Sequence, residues 1–211
     1  MLRVILLRHF PTSGNLLKRY IGVTDEGLCQ EEIPDLEQME FPQAEAVFVS
    51  PLVRCRETAR LVYPELTPVV CEDFRECDFG EFENKNYLEL ADNEKYQKWV
   101  DSGGTLPFPG GEAVWDFKER CIREFQRVIG ISLKAGYGTV AFVVHGGTIM
   151  SILEQYADPR QDYYAWHTEN GNGYVAEWKE IEVEEAVKEI DAGKKEEKAP
   201  EGRLVNICSI R

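Results

Sequence analysis

The sequence is short of basic residues and of long apolar stretches. Lys and Arg number 24 against 38 Asp and Glu in 211 residues, which gives a formal net charge of −14. That balance argues against a broad nucleic-acid or anionic-membrane surface, although a small pocket can still be locally positive. The apolar run before Arg8 is far too short to span a membrane, and no targeting segment is visible. We therefore expect a cytoplasmic protein.

Several motifs of metal and hydrolase chemistry are also missing. The six cysteines include no CxxC pair, which favours reduced thiols over a disulfide framework. The three histidines show no HExxH spacing, and Arg8 would repel a cation from His9, so we expect no metal site. The absence of a GxSxG elbow and of a GxxxxGK[ST] loop argues against a serine hydrolase and a P-loop nucleotide site.

Four short apolar runs predict buried strands. They cover 4–7, 46–49, 68–71 and 140–144, and weaker late strands are expected over 174–178 and 204–210. Helical patterns over 52–63, 89–100, 112–131 and 148–156 alternate with them. Alternation of strands and helices predicts an α/β fold with a mostly parallel sheet, and the length suits one domain over 1–211. The charged stretch over 182–201 is typical of an exposed helix that runs into a loop.

Each of the four runs ends in polar side chains. Arg8 and His9 follow the first run, Arg54 lies a few residues beyond the second, Glu76 follows the third and His145 the fourth. Ligands of such sheets bind beyond the carboxyl ends of the strands, so these residues are expected to share one pocket.

These residue types suit phosphoryl transfer. A neutral imidazole such as His9 is a competent nucleophile near pH 7, and two arginines can hold a phosphoryl group. Glu76 can protonate the leaving oxygen, and the N–H groups of Gly146 and Gly147 at a helix start can bind an anion.

Taken singly, each residue has a simpler explanation. Either histidine could be a hydrogen-bonded core residue, and Arg54 could pair with Glu57 on the surface. Glu76 could be solvated, and the two glycines could form only a turn. The joint pattern carries the prediction.

The motifs also resemble those of the histidine phosphatase superfamily, which includes phosphoglycerate mutase. The similar segments are LRHFPT (7–12), RYIGVTD (19–25), SPLVRCRETA (50–59), FRECDFGEFE (74–83), PGGE (109–112) and VHGG (144–147). The resemblance implies a three-layer α/β/α fold and a phosphohistidine on His9. It also implies a phosphate pocket of Arg8, Arg54 and His145 helped by Asn15, with Glu76 as proton donor. It implies no metal or organic cofactor. We expect a small phosphorylated metabolite as partner, and no nucleic acid or membrane.

Two positions depart from the family pattern. Phe10 stands where glycine usually follows the nucleophilic histidine, so it could reshape the pocket wall or cover the site. Asn84 replaces the glycine that commonly follows Glu83.

The activity stays open between three alternatives. A phosphatase is favoured, with α-ribazole phosphate as the leading specific substrate because of the segment 18–25. A phosphoglycerate mutase and a non-catalytic phosphate binder are the others. The sequence does not indicate an oligomeric state.

Overall fold

The computed structural model describes residues 1–181 and 201–210, so the predicted charged helix and loop lie outside the described residues except at position 201. The described strands are β1 (Leu2–Arg8), β2 (Ala46–Val49), β3 (Val69–Val70), β4 (Thr139–Val144), β5 (Gly173–Glu180) and β6 (Gly202–Ile210). The described α-helices are α1 (Ser13–Leu16), α2 (Val53–Val62), α3 (Glu94–Asp101), α4 (Val114–Ala135) and α5 (Gly146–Tyr156). Each of these helices is too short or too polar to cross a bilayer.

The strands form one sheet in the order β3-β2-β4-β1-β5-β6. The pairs β1–β4, β2–β4 and β2–β3 are parallel, whereas β5 and β6 join antiparallel at the other side. The mostly parallel sheet is therefore confirmed. The four strands that precede the predicted site residues, β3, β2, β4 and β1, are consecutive neighbours in the sheet. Their carboxyl ends therefore meet at one edge.

Alternate side chains of β1 enter two separate cores, as the period of two in a strand requires. Val4 and Leu6 pack in the layer formed by α4 and α5, whereas Ile5 and Leu7 pack towards Cys55 of α2. All four β1 side chains are fully buried, and each contributes about 1.5–3 kcal/mol. Helices thus cover both faces of the sheet, which confirms the three-layer α/β/α architecture.

The predicted helix over 89–100 is wrong in its first five residues, because α3 begins at Glu94. The Asn93 side chain accepts hydrogen bonds from the backbone N–H groups of Lys95 and Tyr96 at 2.9 and 3.1 Å, which fixes the helix start. Just before it, the Asn86 side chain accepts from the backbone of Leu88 and Glu89 and holds a turn instead.

The predicted helix over 112–131 is α4, which is longer at its carboxyl end. It ends where Gly136 adopts a left-handed conformation at φ 75°, a backbone geometry that glycine adopts without strain.

Besides the two cores on the faces of the sheet, a third core is rich in aromatic residues, and we call it the cap cluster. Its buried members are Cys77, Phe82, Leu90, Tyr96, Phe108, Phe117 and Cys121, with Tyr20, Phe79, Trp99 and Val114 packed against them. A cavity lies between the cap cluster, the end of β1 and the start of α5, because residues from all three line it. The fold therefore places a pocket at the predicted edge of the sheet.

Candidate active site

His9 follows β1 directly and is held with one ring nitrogen free. Its Nδ1 lies 2.7 Å from the carbonyl oxygen of Phe10. Because a carbonyl only accepts, Nδ1 carries the ring proton and Nε2 keeps its lone pair. Burial lowers the pKa of His9 well below its ordinary value, and the charges of Arg54 and Arg8 lower it further. His9 is thus a neutral imidazole near pH 7, in the form that a nucleophile needs.

His145 follows β4 at the start of α5 and faces His9. The two ring centroids are 5.2 Å apart, and the rings are inclined at 68°. The Nε2 atom of His145 lies 2.7 Å from the Ser50 hydroxyl oxygen. Burial, followed by the charge of Arg54, lowers the pKa of His145 well below its usual value. The site therefore holds two neutral imidazoles from neighbouring strands.

Arg54 is fully buried near the start of α2. Its Nη1 donates to the Thr24 carbonyl at 2.8 Å, and its Nη2 donates to the carbonyls of Gly22 and Ile21 at 2.9 and 3.3 Å. Its Nε–H has no partner among the described residues. Glu57 instead accepts from the backbone N–H of Leu28, so the simpler explanation of a surface Arg54–Glu57 pair is wrong.

Arg8 at the end of β1 is held in a similar way. Its Nη1 donates to the Thr168 carbonyl at 2.7 Å, and its buried Nε–H has no partner in the described chain. Burial lowers the pKa of Arg8, although the charges of Glu76 and Glu169 oppose that effect. Two guanidinium groups therefore each keep a buried donor that an anion such as phosphate can satisfy.

Glu76 lines the cavity beside these residues. Its two carboxyl oxygens accept from the backbone N–H groups of Cys77 at 3.0 Å and of Gly147 at 3.4 Å. Burial raises the pKa of Glu76, although those hydrogen bonds and the charges of Arg54 and Arg8 oppose the change. A raised pKa favours the protonated form that donates to a leaving group.

The two glycines at the start of α5 do not act alike. The Gly147 N–H is directed at Glu76, so the prediction that it stays free for an anion is wrong. Gly146 lies against the Arg8 guanidinium, because a Cβ added there would be 3.5 Å from the Arg8 Cζ. Gly146 therefore stays next to the predicted phosphate pocket, and Gly147 orients the carboxylate.

Asn15 lies in α1 with its side-chain oxygen already occupied. That oxygen accepts from the backbone N–H of Thr12 at 3.2 Å and from the amide of Asn170 at 3.2 Å. The Asn170 amide also donates to the His9 carbonyl at 3.0 Å, so Asn170 links Asn15 to His9.

Both departures from the family pattern have a structural explanation. The Phe10 ring is fully buried against Phe41, with the centroids 6.2 Å apart, and it is not among the residues that line the cavity. Phe10 is therefore not part of the wall of this cavity. Asn84 has φ 55°, the left-handed region that glycine favours and asparagine tolerates better than most residues. The substitution at 84 keeps the backbone that a glycine would adopt.

Sequence reasoning missed the residue that holds the Glu76 segment. Arg120 of α4 donates to the carbonyls of Asp73, Arg75 and Glu76 at 2.7, 2.7 and 3.1 Å. It also forms two bonds to the Glu112 carboxylate, at 2.7 and 2.8 Å. The sequence signal for Arg120 was the PGGE segment. Its glutamate, Glu112, is largely buried and is therefore expected to pair with a cation. Asn170 was missed too, and no pattern around it marks its role.

The cavity has a volume of ≈ 330 Å³, and Arg8, Glu76, Gly146 and Gly147 are among its lining residues. In the described residues, no group of three or more His, Cys, Asp or Glu side chains is arranged to hold a metal ion. Of the predicted site residues, Arg8, Glu76 and Gly146 line this cavity, whereas His9, Asn15, Arg54 and His145 do not.

Residues 4–188 match the family model described as the histidine phosphatase superfamily (branch 1). The 2,3-bisphosphoglycerate-dependent phosphoglycerate mutase of Rhizobium etli is 28% identical over 168 residues, which cover 73% of this chain and 79% of the relative. The α-ribazole phosphatase of Shigella flexneri superposes with a TM-score of 0.69 at 22% identity, over 83% of this chain and 90% of that one. The phosphoglycerate mutase of Thermus thermophilus gives a TM-score of 0.64 at 25% identity, over 83% and 93%.

The structural neighbours confirm the fold, and the family match covers most of the chain. Members of this superfamily are phosphatases or mutases that act through a phosphohistidine. Since the matched segment includes every residue gathered at the pocket, this protein belongs to the histidine phosphatase superfamily, branch 1.

Proposed function

We propose that this protein is a metal-independent phosphomonoester hydrolase that acts in the cytoplasm on a small phosphorylated metabolite. The observation that carries the proposal is the free Nε2 of a neutral His9 beside two arginines that each keep an unpartnered Nε–H. The six cysteines are all free thiols, which supports a reducing compartment. In this proposal the chain from 1 to 211 works as one domain, without nucleic acid or membrane.

The first chemical step forms a phosphohistidine. Nε2 of His9 attacks phosphorus, the bond from phosphorus to the ester oxygen breaks, and Glu76 gives its proton to that oxygen. Arg8 and Arg54 neutralise the charge on the equatorial oxygens. His145, Asn15 and Gly146 complete the proposed binding of the phosphoryl group.

The second step releases inorganic phosphate. Water attacks phosphorus, Glu76 takes a proton from that water, and the bond from phosphorus to nitrogen breaks with the electron pair returning to His9. Glu76 ends the cycle protonated, as it began.

Activity with a chromogenic aryl phosphate in excess EDTA tests this function. We expect turnover in EDTA by the wild-type protein, loss of turnover in His9→Ala, and retained binding of inorganic phosphate by that variant. Retained binding shows that the variant is folded. A wild-type protein that binds phosphate yet turns over no phosphomonoester would refute the hydrolase and support the non-catalytic binder.

The leading specific substrate is α-ribazole phosphate, on the strength of the segment 18–25. Relatives named as phosphoglycerate mutases make phosphoryl transfer between hydroxyl groups the second candidate. A screen of phosphorylated metabolites that includes α-ribazole phosphate separates the two. Interconversion of 2- and 3-phosphoglycerate faster than release of phosphate would identify a mutase.

A further inference from the structure

Aromatic rings dominate the walls of the cavity next to Glu76. Seven of its 16 lining residues are Phe, Tyr or Trp, whereas aromatic residues form only 11% of the chain. The volume of ≈ 330 Å³ lies at the lower end of the range of roughly 300–1,000 Å³ for ligand pockets. The space therefore suits a compact molecule that contacts rings.

The rings support one another. The Tyr20 and Phe79 centroids are 5.3 Å apart, those of Phe79 and Phe108 are 5.0 Å apart, and those of Trp99 and Phe108 are 5.1 Å apart. These are ordinary distances for favourable ring contacts. Since the four rings come from separate segments and belong to or pack against the cap cluster, they are fixed before a ligand arrives.

On the opposite wall, Tyr163 donates its hydroxyl to the Gly147 carbonyl at 3.4 Å. Burial raises the pKa of Tyr163 well above its ordinary value, so its hydroxyl stays uncharged. The Lys118 ammonium over the Tyr163 ring, 4.1 Å from its centroid, is paired with Glu154. Tyr164 beside it is 66% exposed and lies at the mouth of the cavity, across from Gly104.

Charge is confined to the phosphate end. Among the described lining residues, Arg8 and Glu76 are the only Arg, Lys, Asp or Glu side chains. A carboxylate on the substrate beyond the phosphate would be desolvated without a cation to pair with, which is costly. An uncharged planar ring has no charge to desolvate, and it would stack on the aromatic side chains of the cavity walls.

Resting on the hydrolase function proposed above, we propose that the preferred substrates are monoesters whose leaving group carries an uncharged aromatic ring. The phosphate lies between Arg8 and Arg54, the ester oxygen faces Glu76, and the ring lies among Tyr20, Trp99 and Phe108. Esters of carboxylated alcohols such as the phosphoglycerates are poor substrates.

Three esters of primary alcohols test this preference without changing the leaving-group chemistry: ethyl, 2-cyclohexylethyl and 2-phenylethyl phosphate. We expect kcat/KM for the phenylethyl ester to exceed that for the ethyl ester by about tenfold or more, because a ring is buried. We expect it to exceed that for the cyclohexylethyl ester by about two- to tenfold, because aromatic pairs gain beyond their area. We expect 3-phosphoglycerate to react more slowly than ethyl phosphate.

The ratio of kcat/KM between the phenylethyl and ethyl esters is the readout for variants, since it is independent of the folded fraction. Trp99→Leu should lower this ratio about two- to tenfold. Trp115→Leu is the matched control, because Trp115 is 68% exposed and outside the cavity; it should leave the ratio unchanged.

The outcomes separate this inference from the function on which it rests. Hydrolysis of none of these esters would overturn the aromatic preference, and only the additional absence of turnover of the aryl phosphate would overturn the hydrolase as well. Equal kcat/KM for all three, or equal ratios in Trp99→Leu and Trp115→Leu, would overturn the aromatic preference and leave the hydrolase standing. A cyclohexylethyl ester that equals the phenylethyl ester would also overturn it.

Discussion

Replacing Arg120 by methionine removes the side chain that holds the Glu76 segment to α4. Methionine keeps much of the length and apolar contact of the arginine but donates no hydrogen bond. The Glu112 carboxylate, with its side chain only 15% exposed, would lose both bonds from its cation. Its remaining bond comes from the backbone N–H of Asp78 at 3.4 Å. The three carbonyls of the loop before Cys77 would lose their donor at the same time.

The loss of unfolding free energy follows from that geometry. Removing one partner of a buried ion pair costs about 3–5 kcal/mol, because the other charge is left buried and unpaired. A domain of this size has a total stability of about 5–15 kcal/mol. Arg120→Met should therefore lose a large share of its stability, with a Tm lower by about 6–20 °C. It should also slow esters with poor leaving groups more than esters with good ones, because Glu76 is displaced.

Arg123→Met is the matched control. Arg123 lies on the same helix and binds the same loop through Asp73 at 2.9 Å, but its side chain is 63% exposed. Exposed pairs contribute about 0–1 kcal/mol, so its Tm should change by at most a few degrees. Thermal unfolding and kinetics on two aryl phosphates measure both effects. Equal losses of Tm in the two variants, or an Arg120→Met rate defect that is independent of the leaving group, would contradict the role of Arg120 in holding Glu76.

Further expectations concern Glu76 directly. Glu76→Gln should slow esters with poor leaving groups about 10²–10⁴-fold, and good ones less, because only the former need the proton; equal slowing would count against an acid role. The pH profile of kcat/KM supplies another test. A lowered pKa of His9 keeps the nucleophile neutral below pH 6.5, and a raised pKa of Glu76 extends its protonated form above pH 4.5. Activity should fall on the alkaline side as Glu76 loses its proton, and Glu76→Gln should remove that fall. A profile unchanged by the substitution would contradict the assignment.

The sequence predicts the central part of the fold because each strand is a local apolar run. The runs at 4–7 and 140–144 lie within β1 and β4 as observed, and the polar residues that follow them meet as expected. The short run at 68–71 gives only a two-residue strand, Val69–Val70, whose side chains are both partly exposed at the edge of the sheet. The longer apolar runs thus correspond to buried strands, and the weakest run corresponds to a short, partly exposed strand.

The remaining features depend on contacts that no local pattern contains. The antiparallel pairing of β5 with β1 joins residues from opposite parts of the chain, and strand propensity does not fix its direction. Arg120 binds carbonyls of the Glu76 segment, and carbonyls are present at every residue. Asn170 reaches His9 in the same way. A side chain that binds backbone carbonyls requires no particular residue type at those positions, so the sequence there does not indicate the contact.

The central place of β1 has a consequence for synthesis of the chain. Val4 pairs with Val140 on one side and with Ala176 on the other, so the first strand to be made has partners that are made late. A ribosome adds about 5–20 residues per second, so this apolar strand waits several seconds for its neighbours. His9, which follows this strand, cannot meet Arg54 or Glu76 in their final arrangement during that time. Assembly of the candidate site therefore requires a closed sheet, and until then β1 is an unpaired apolar segment of the kind that aggregates.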